Sequence, residues 1–187
     1  CKLVNPANKR KYKVLVVGRK GRKTTFEINE LFMNAMTDER GLTYPYIAPS
    51  RLQGKEIVWD DHVSNLLTVL KRAGVEYELN KSELSVYFPG YSKFVVDGSD
   101  NIESLRGKSD WGGIAADEFD SWKNPDYAWN EVIEPNLLTH KGFAIISGTP
   151  KGYRYLHAMA KMGDHAGMIE GDAYDTEGKI IKPDKNF

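Results

Sequence analysis

Residues 112–120 read Gly-Gly-Ile-Ala-Ala-Asp-Glu-Phe-Asp. An apolar run this short, entered through two glycines and ended by adjacent acids, fits a strand buried on both faces. Its carboxyl end then opens into a cleft, the edge of an open α/β sheet where ligands sit. Two neighbouring carboxylates there suit one to hold Mg²⁺ and the other to polarise a water. A plain strand followed by an acidic turn has the same local sequence, so the rest of the chain must discriminate.

Other apolar runs share the pattern. Val14-Leu15-Val16-Val17 predicts a buried strand that stops at Gly18, and Tyr44 to Ser50 predicts a second. Phe143-Ala144-Ile145-Ile146 predicts another, ending at Ser147-Gly148-Thr149-Pro150. Helical spacing lies between them. Phe26, Ile28, Leu31, Phe32 and Met36 form one inward face. A helix from about Gly54 to Ala73 would turn Ile57, Val58, Val63, Leu66, Leu67 and Leu70 inward and end at Gly74. Shorter helices are predicted near Asp126 to Ile133 and Tyr153 to Met162.

Val75–Leu79 and Glu83–Phe88 alternate about a turn at Asn80-Lys81, an antiparallel hairpin signal, and Phe94-Val95-Val96 adds a strand. Ser99 to Lys108 reads as a polar loop, and Ile169–Tyr174 with Lys179–Ile181 as a small hairpin. Helices alternating with apolar strands imply an α/β fold with a mainly parallel sheet and an antiparallel extension.

Composition narrows little. The 187 residues carry 26 basic and 26 acidic side chains, a formal net charge of zero. The neutral total hides one basic stretch, Lys9, Arg10, Lys11 and Lys13 followed by Arg19, Lys20, Arg22 and Lys23. Cys1 is the single cysteine, so no internal disulfide can form. No run is apolar enough to cross a bilayer and none reads as a signal peptide, so no membrane partner is expected. The chain begins without Met and reads as part of something longer. His62, His140, His157 and His165 lack metal-ligand spacing. Trp111, Trp122, Tyr127 and Trp129 flank the acidic strand and are expected to pack there.

The loop after the first strand, Gly18-Arg19-Lys20-Gly21-Arg22-Lys23-Thr24-Thr25, stands between strand and helix, where a phosphate-binding loop belongs. A triphosphate needs inward N–H groups, a lysine for the outer phosphates and a hydroxyl for Mg²⁺. Lys23 and Thr24 fit the last two, with Thr25 as the alternative hydroxyl. Arg22 stands where the common pattern has glycine, and Gly18 lies one residue too close.

Gly18-Arg19 with Lys23-Thr24 resembles the G-R-x-x-G-K-[ST] loop of phage large terminase subunits. Further resemblances follow in family order. Tyr46-Ile47-Ala48-Pro49-Ser50 with Gln53 resembles the motif after the second strand. Leu105-Arg106-Gly107 resembles an L-R-G segment, and Ile114 to Glu118 the Walker B strand. Trp129, Val132-Ile133 and Pro135 resemble W-x-x-x-I-x-P. Ile146 to Gly152 resembles a coupling motif. Together they cover about Val14 to Lys161. The family's adenine-contacting glutamine has no counterpart in residues 1–13, and its nuclease domain is not represented; Asp172 and Asp175 read as turn residues.

The resemblance implies a P-loop NTPase domain of the RecA/ASCE-like kind over residues 1–162, with 163–187 an extension or the start of a linker. Gly18 to Thr25 would bind ATP. Thr24 and Asp117 would hold Mg²⁺, and Glu118 would activate the attacking water. Arg19 and Arg106 would stabilise transition-state charge, Arg106 by reaching a neighbouring subunit. Ser147, Gly148, Thr149 and Pro150 would couple the nucleotide to movement. Implied partners are double-stranded DNA, a portal protein, a small terminase subunit and copies of the chain in a ring, in the host cytoplasm at the procapsid. A helicase-like DNA-dependent ATPase, suggested by Asp117-Glu118-Phe119-Asp120, and a nucleotide-binding or DNA-binding scaffold without turnover, suggested by Arg22, remain as alternatives.

Overall fold

The computed structural model describes residues 11–18, 20–108, 110–150, 155–162, 173–174 and 180–181. Seven strands form one sheet: β1 (Tyr12–Val16), β2 (Thr43–Ala48), β3 (Glu78–Asn80), β4 (Ser85–Tyr87), β5 (Lys93–Gly98), β6 (Gly113–Ala116) and β7 (Phe143–Gly148). Their spatial order is β1-β7-β6-β2-β5-β4-β3. β1, β7, β6, β2 and β5 pair in parallel. β4 runs antiparallel to β5 and β3 antiparallel to β4, the extension that the alternating hairpin predicts. A separate two-residue pair, Ala173–Tyr174 against Ile180–Ile181, is also antiparallel.

Helices cover both faces. Helix α1 (Lys23–Thr37) places Ile28, Leu31, Phe32 and Ala35 against Tyr44, Tyr46, Phe94, Ala115 and Ile145. The opposite face, with Ile47, Ile114, Ala116, Ala144 and Ile146, is closed by Trp111, Trp122, Trp129, Val132, Ile133 and Leu137. Strand alternation explains the division: Tyr46 and Ala115 point to one layer, Ile47 and Ala116 to the other. The tryptophans are core, as expected of them.

Three expectations need correction. β1 is the sheet's edge strand: Tyr12 to Leu15 are half-buried and Val16 is exposed rather than buried, because only β7 pairs with it. The second helical run, α2, continues from Arg51–Gln53 through a π-helical stretch, Gly54–Val63, into Ser64–Arg72. The wide π turn shifts the inward face: Val58, Trp59 and Val63 are buried while Ile57 is 56% exposed. Gly74 does end the run in the left-handed region, at φ 70°. Finally, Ser99–Leu105 is a 3₁₀ stretch rather than open loop.

The helix expected near Asp126 runs longer: α3 comprises Pro125–Tyr127, a π segment Ala128–Ile133, and Glu134–Leu138. Helix α4 (Tyr155–Met162) follows β7. At the carboxyl end of β5, Gly98 is indispensable. A Cβ there would lie 2.0 Å from the Arg51 amide nitrogen, so only glycine lets α2 start against the sheet.

Candidate active site

The parallel strands deliver their carboxyl ends to one edge, opposite the start of α1. Ala116 pairs with Ile146, so the next residues, Asp117 and Ser147, emerge side by side. Alternation sends both toward the layer of α1, the layer that Tyr46 also faces. Asp117 collects donors from each neighbour. Its Oδ2 accepts from the Tyr46 hydroxyl at 2.7 Å, and its Oδ1 from Ser147 Oγ at 3.1 Å and from the Glu118 amide at 3.0 Å.

Glu118 would point to the other face if the strand continued. It does not continue: Glu118 adopts φ 47°, ψ 44°, the left-handed region that costs a side-chain-bearing residue about 1–3 kcal/mol. The turn swings its carboxylate back to α1. There Lys23 Nζ donates to Glu118 Oε1 at 2.6 Å and lies 3.3 Å from Asp117 Oδ1. Thr149 Oγ1 donates to the same Oε1 at 2.7 Å, and the Thr149 amide to Oε2 at 3.3 Å. Ser121 and Trp122 fasten the turn, the indole N–H donating to the Asp117 carbonyl at 2.9 Å.

The electrostatics follow. Burial pushes Glu118 up, but the Lys23 ammonium and the Thr149 donors outweigh it and bring its pKa down to about 2. Burial works against the charged form of Lys23, yet Glu118 and Asp117 raise its pKa above the ordinary value. Lys23 therefore stays charged and Glu118 stays ionised at neutral pH.

The loop before α1 settles where its essential glycine is. The Gly21 amide donates to the Gly18 carbonyl at 3.2 Å, a tight turn. A Cβ on Gly21 would meet Val17 Cγ1 at 2.2 Å, whereas one on Gly18 would meet nothing within 4 Å. Gly21 thus makes the close turn one residue earlier than the common pattern. Arg22 and Lys20 absorb the curvature at φ 56° and 65° without being glycine. Arg22 precedes α1 as an exposed residue. Arg19 lies outside the described residues.

Thr24 is half-buried on the first turn of α1, and its hydroxyl neighbours that of Tyr46, which is bonded to Asp117. This gives an oxygen donor set of one hydroxyl and one carboxylate on one side of Lys23. Mg²⁺ is usually held by one or two carboxylates together with substrate phosphates rather than by an all-protein cage. No cluster of three acidic, histidine or cysteine side chains suited to a metal occurs among the described residues. Thr25 is exposed.

The remaining candidates fall elsewhere. Arg106 is an exposed side chain beside Tyr127, Glu103 and Glu131, on the flank covered by α3 and away from the Lys23 pairings. Asp120 leaves the acidic cluster: its Oδ1 accepts from the Leu156 amide at 2.8 Å at the start of α4. Gly148 is buried within 3 Å of Leu156, at 2.9 Å from Cδ2 for a built Cβ, and Pro150 is exposed. Lys9 and Arg10 lie outside the described residues, as do Lys151 and Gly152.

Two site residues escaped the sequence reading. The sequence places Tyr46 in the second strand and its motif without a role, and does not single out Glu27. Glu27 is fully buried, and neither of its carboxylate oxygens accepts a hydrogen bond. Burial first, then the nearby Asp117, raises its pKa to about 8. Its position four residues after Lys23, on the face that carries Leu31 and Ala35, was the available signal.

No protein-family profile matches the chain. The terminase large subunit of Thermus virus P23-45 is 35% identical over 81 residues, covering 43% of this chain. The chain matches only 16% of that relative's length. The large terminase ATPase domain of Thermus phage P74-26 superposes with a TM-score of 0.69 at 25% identity, over 87% of this chain and 68% of that one. A large terminase of another thermophilic bacteriophage, solved in complex with ADP, shares the fold alone, with a TM-score of 0.52 at 13% identity over 79% of this chain and 35% of its own.

Proposed function

We infer that this chain, a large-terminase ATPase domain by its sequence likeness and its fold, hydrolyses ATP with Mg²⁺ to drive double-stranded DNA into a viral procapsid. The observation that carries the reading is Lys23 bridging Glu118 and Asp117 at 2.6 and 3.3 Å, beside the hydroxyls of Tyr46 and Ser147. A lysine, two adjacent acids and a helix N-terminus on one sheet edge are the parts that phosphoryl transfer requires.

Thr24 and Asp117 would hold Mg²⁺, whose chemistry there would be to neutralise charge on the phosphate oxygens. Lys23 shifts its charge from Glu118 to those oxygens. Glu118, which the Lys23 and Thr149 pairings hold near pKa 2, is a poor base while so paired. Loss of the Lys23 contact raises its basicity and leaves Oε1, still held by the Thr149 hydroxyl, a lone pair with which to orient and deprotonate a water. The Gly21 turn and the amides starting α1 cradle the phosphates.

Thr149 reads whether Glu118 is engaged, because its hydroxyl and amide both end on that carboxylate. Ser147 reads Asp117. Both belong to β7 and its exit, and Asp120 ties the acidic turn to α4. A change at Glu118 thus reaches the segment after β7, the basis for a coupling role of Ser147, Gly148, Thr149 and Pro150. Arg106, exposed on the flank, would enter a neighbouring copy's site in a ring, while Arg19 would act from its own loop. A portal protein and a small terminase subunit would complete the assembly, in the host cytoplasm.

The test is phosphate release from ATP by the chain and by the assembled protein, with and without Mg²⁺. Turnover that needs Mg²⁺ and disappears in Glu118→Gln supports the reading; metal-independent or Glu118-independent turnover sinks it. In assembled rings Arg106→Ala should lose turnover, and full activity would remove the trans role.

A further inference from the structure

Asp117 is tied to β2 twice. Its backbone amide donates to the Ile47 carbonyl at 3.0 Å, one residue beyond the last β2–β6 register pair, Ile47 with Ala116. Its carboxylate meets the preceding residue of the same strand, for the Tyr46 hydroxyl donates to Oδ2 at 2.7 Å. The Tyr46 side chain is held firmly. β2 lies between β5 and β6, where Tyr46 pairs with Val96 and Ala115, and the residue is fully buried in the layer under α1.

The two carboxylate oxygens are held differently. Oδ1 accepts from Ser147 Oγ at 3.1 Å and from the Glu118 amide at 3.0 Å, and Lys23 Nζ lies 3.3 Å from it. Among the described residues Tyr46 is the one donor to Oδ2. A buried tyrosine hydroxyl needs a partner, and a charged acceptor makes the bond roughly twice as strong as a neutral one. A carboxylate oxygen has two lone pairs, so this bond leaves Oδ2 able to take a cation as well. The Thr24 hydroxyl neighbours that of Tyr46, so the phenol stands beside both side chains that would hold Mg²⁺.

Lys23 is the donor that must leave. It pairs with Asp117 and Glu118 in this structure and would turn to phosphate when nucleotide binds. A carboxylate then anchored through Oδ1 alone could pivot about that oxygen. The Tyr46 bond ends on the other oxygen and removes the pivot. Rigidity of this kind discriminates between ions. Mg²⁺ demands near-ideal octahedral geometry and short bonds, whereas Ca²⁺ accepts longer bonds and a flexible shell.

We propose that Tyr46 is a positioning residue that holds Asp117 in an orientation selective for Mg²⁺ over the larger Ca²⁺. It acts through the carboxylate and takes no part in the chemistry. The consequence for the metal rests on the function proposed above; the contact itself does not.

Two variants separate this hydroxyl from any other on the strand. Tyr46→Phe removes the donor and keeps the ring. Tyr44→Phe makes the same change two residues earlier, where the hydroxyl donates to Asp38 just past the far end of α1. Binding of a non-hydrolysable ATP analogue is measured with Mg²⁺, with Ca²⁺ and with chelator. In Tyr46→Phe the Mg²⁺-dependent gain in affinity should fall by about 10–100-fold, the usual cost of losing a group behind a metal ligand. The Ca²⁺-dependent gain should fall less, and metal-free affinity should be unchanged. Tyr44→Phe should keep the wild-type ratio of the two gains. An undiminished Mg²⁺ gain in Tyr46→Phe, an equal loss with both ions, or the same loss of selectivity in Tyr44→Phe overturns the proposal.

A second arm needs neither nucleotide nor a change at Tyr46. The infrared difference between wild type and Asp117→Asn should contain a tyrosine C–O band, identified by its isotope shift in ring-labelled protein, because the acceptor changes from charged to neutral. Absence of that band overturns the contact, and this arm decides should Tyr46→Phe fail to fold. Wild type without any metal-dependent gain would defeat the proposed function and the selectivity with it, while the infrared arm still judges the contact.

Discussion

The ammonium of Lys23 lies 2.6 Å from Oε1 of Glu118, 95 residues further along the chain. The ammonium at the start of α1 and the carboxylate just past β6 neutralise each other across the cleft between those elements. Lys23→Met should therefore act twice. Nucleotide binding should be lost, read by titration with a fluorescent ADP analogue. Glu118, deprived of its main counter-charge, should titrate well above the value of about 2 that it has beside Lys23, read by NMR of labelled glutamate. The lost charge-assisted bond should cost about 1–3 kcal/mol at neutral pH. That penalty should vanish in acid: a depressed carboxyl stabilises above its unfolded pKa, and the contribution fades as pH falls toward about 2.

The glycines of the loop before α1 should respond unequally. Gly21→Ala forces a Cβ to 2.2 Å from Val17 Cγ1, so it should lower stability by about 1–3 kcal/mol and weaken nucleotide binding. Gly18→Ala meets open space and should leave stability within about 0.5 kcal/mol of wild type. Arg22→Gly relieves a positive φ and should stabilise by about 1 kcal/mol. Thermal unfolding of the three variants checks the ranking; equal effects of Gly18→Ala and Gly21→Ala would contradict the assignment of the turn.

Thr149→Val removes the hydroxyl that donates to Glu118 at 2.7 Å but keeps the shape and the amide contact. The variant should fold and bind nucleotide. In the assembled protein DNA translocation should drop more than ATP turnover, so that more ATP is consumed per length of DNA moved. A ratio equal to wild type would show that Thr149 carries no coupling.

Glu27 gives the stability curve a distinct slope. Its carboxyl titrates at about 8 when folded, against the model-peptide value of 4.5, so folding takes up a proton between those values. Wild type should lose stability relative to Glu27→Gln as pH rises from about 5 to about 8, by up to about 1.4 kcal/mol per unit. Below about pH 4.5 both states are protonated and the difference should be constant. Denaturant melts at several pH values measure it, and parallel curves would refute the buried neutral acid.

Gly98→Ala tests the architecture rather than the chemistry. Its Cβ would sit 2.0 Å from a backbone nitrogen and 2.6 Å from a backbone carbon, neither of which can rotate away. A loss of about 2–4 kcal/mol is expected in urea unfolding.

Lys23, Thr24, Asp117 and Glu118 could be read in the sequence because each sits at a strand-to-loop or loop-to-helix boundary, where local pattern and function coincide. The sheet's parallel core and its hairpin extension were legible for the same reason: apolar runs and alternation mark strands directly. Ile57 was misplaced because periodicity assumes 3.6 residues per turn and the π stretch at Gly54–Val63 does not obey it. Glu27 and Tyr46 were missed because a charge on a helix and a tyrosine in a strand carry no local mark of what they face. Nothing in the order of residues near Arg106 says whether it reaches another subunit.

The sequence by itself determined which residues stand at the carboxyl ends of the strands and at the start of α1, because periodicity and turn chemistry are local properties. Only the tertiary structure decided what those residues do to one another. Whether Glu118 faces Lys23 depends on a left-handed turn at φ 47°, and whether Ser147 meets Asp117 depends on the pairing of β6 with β7. These are relations across 95 and 30 residues of chain. They are fixed by burial and by the satisfaction of buried polar groups, which no local stretch can specify.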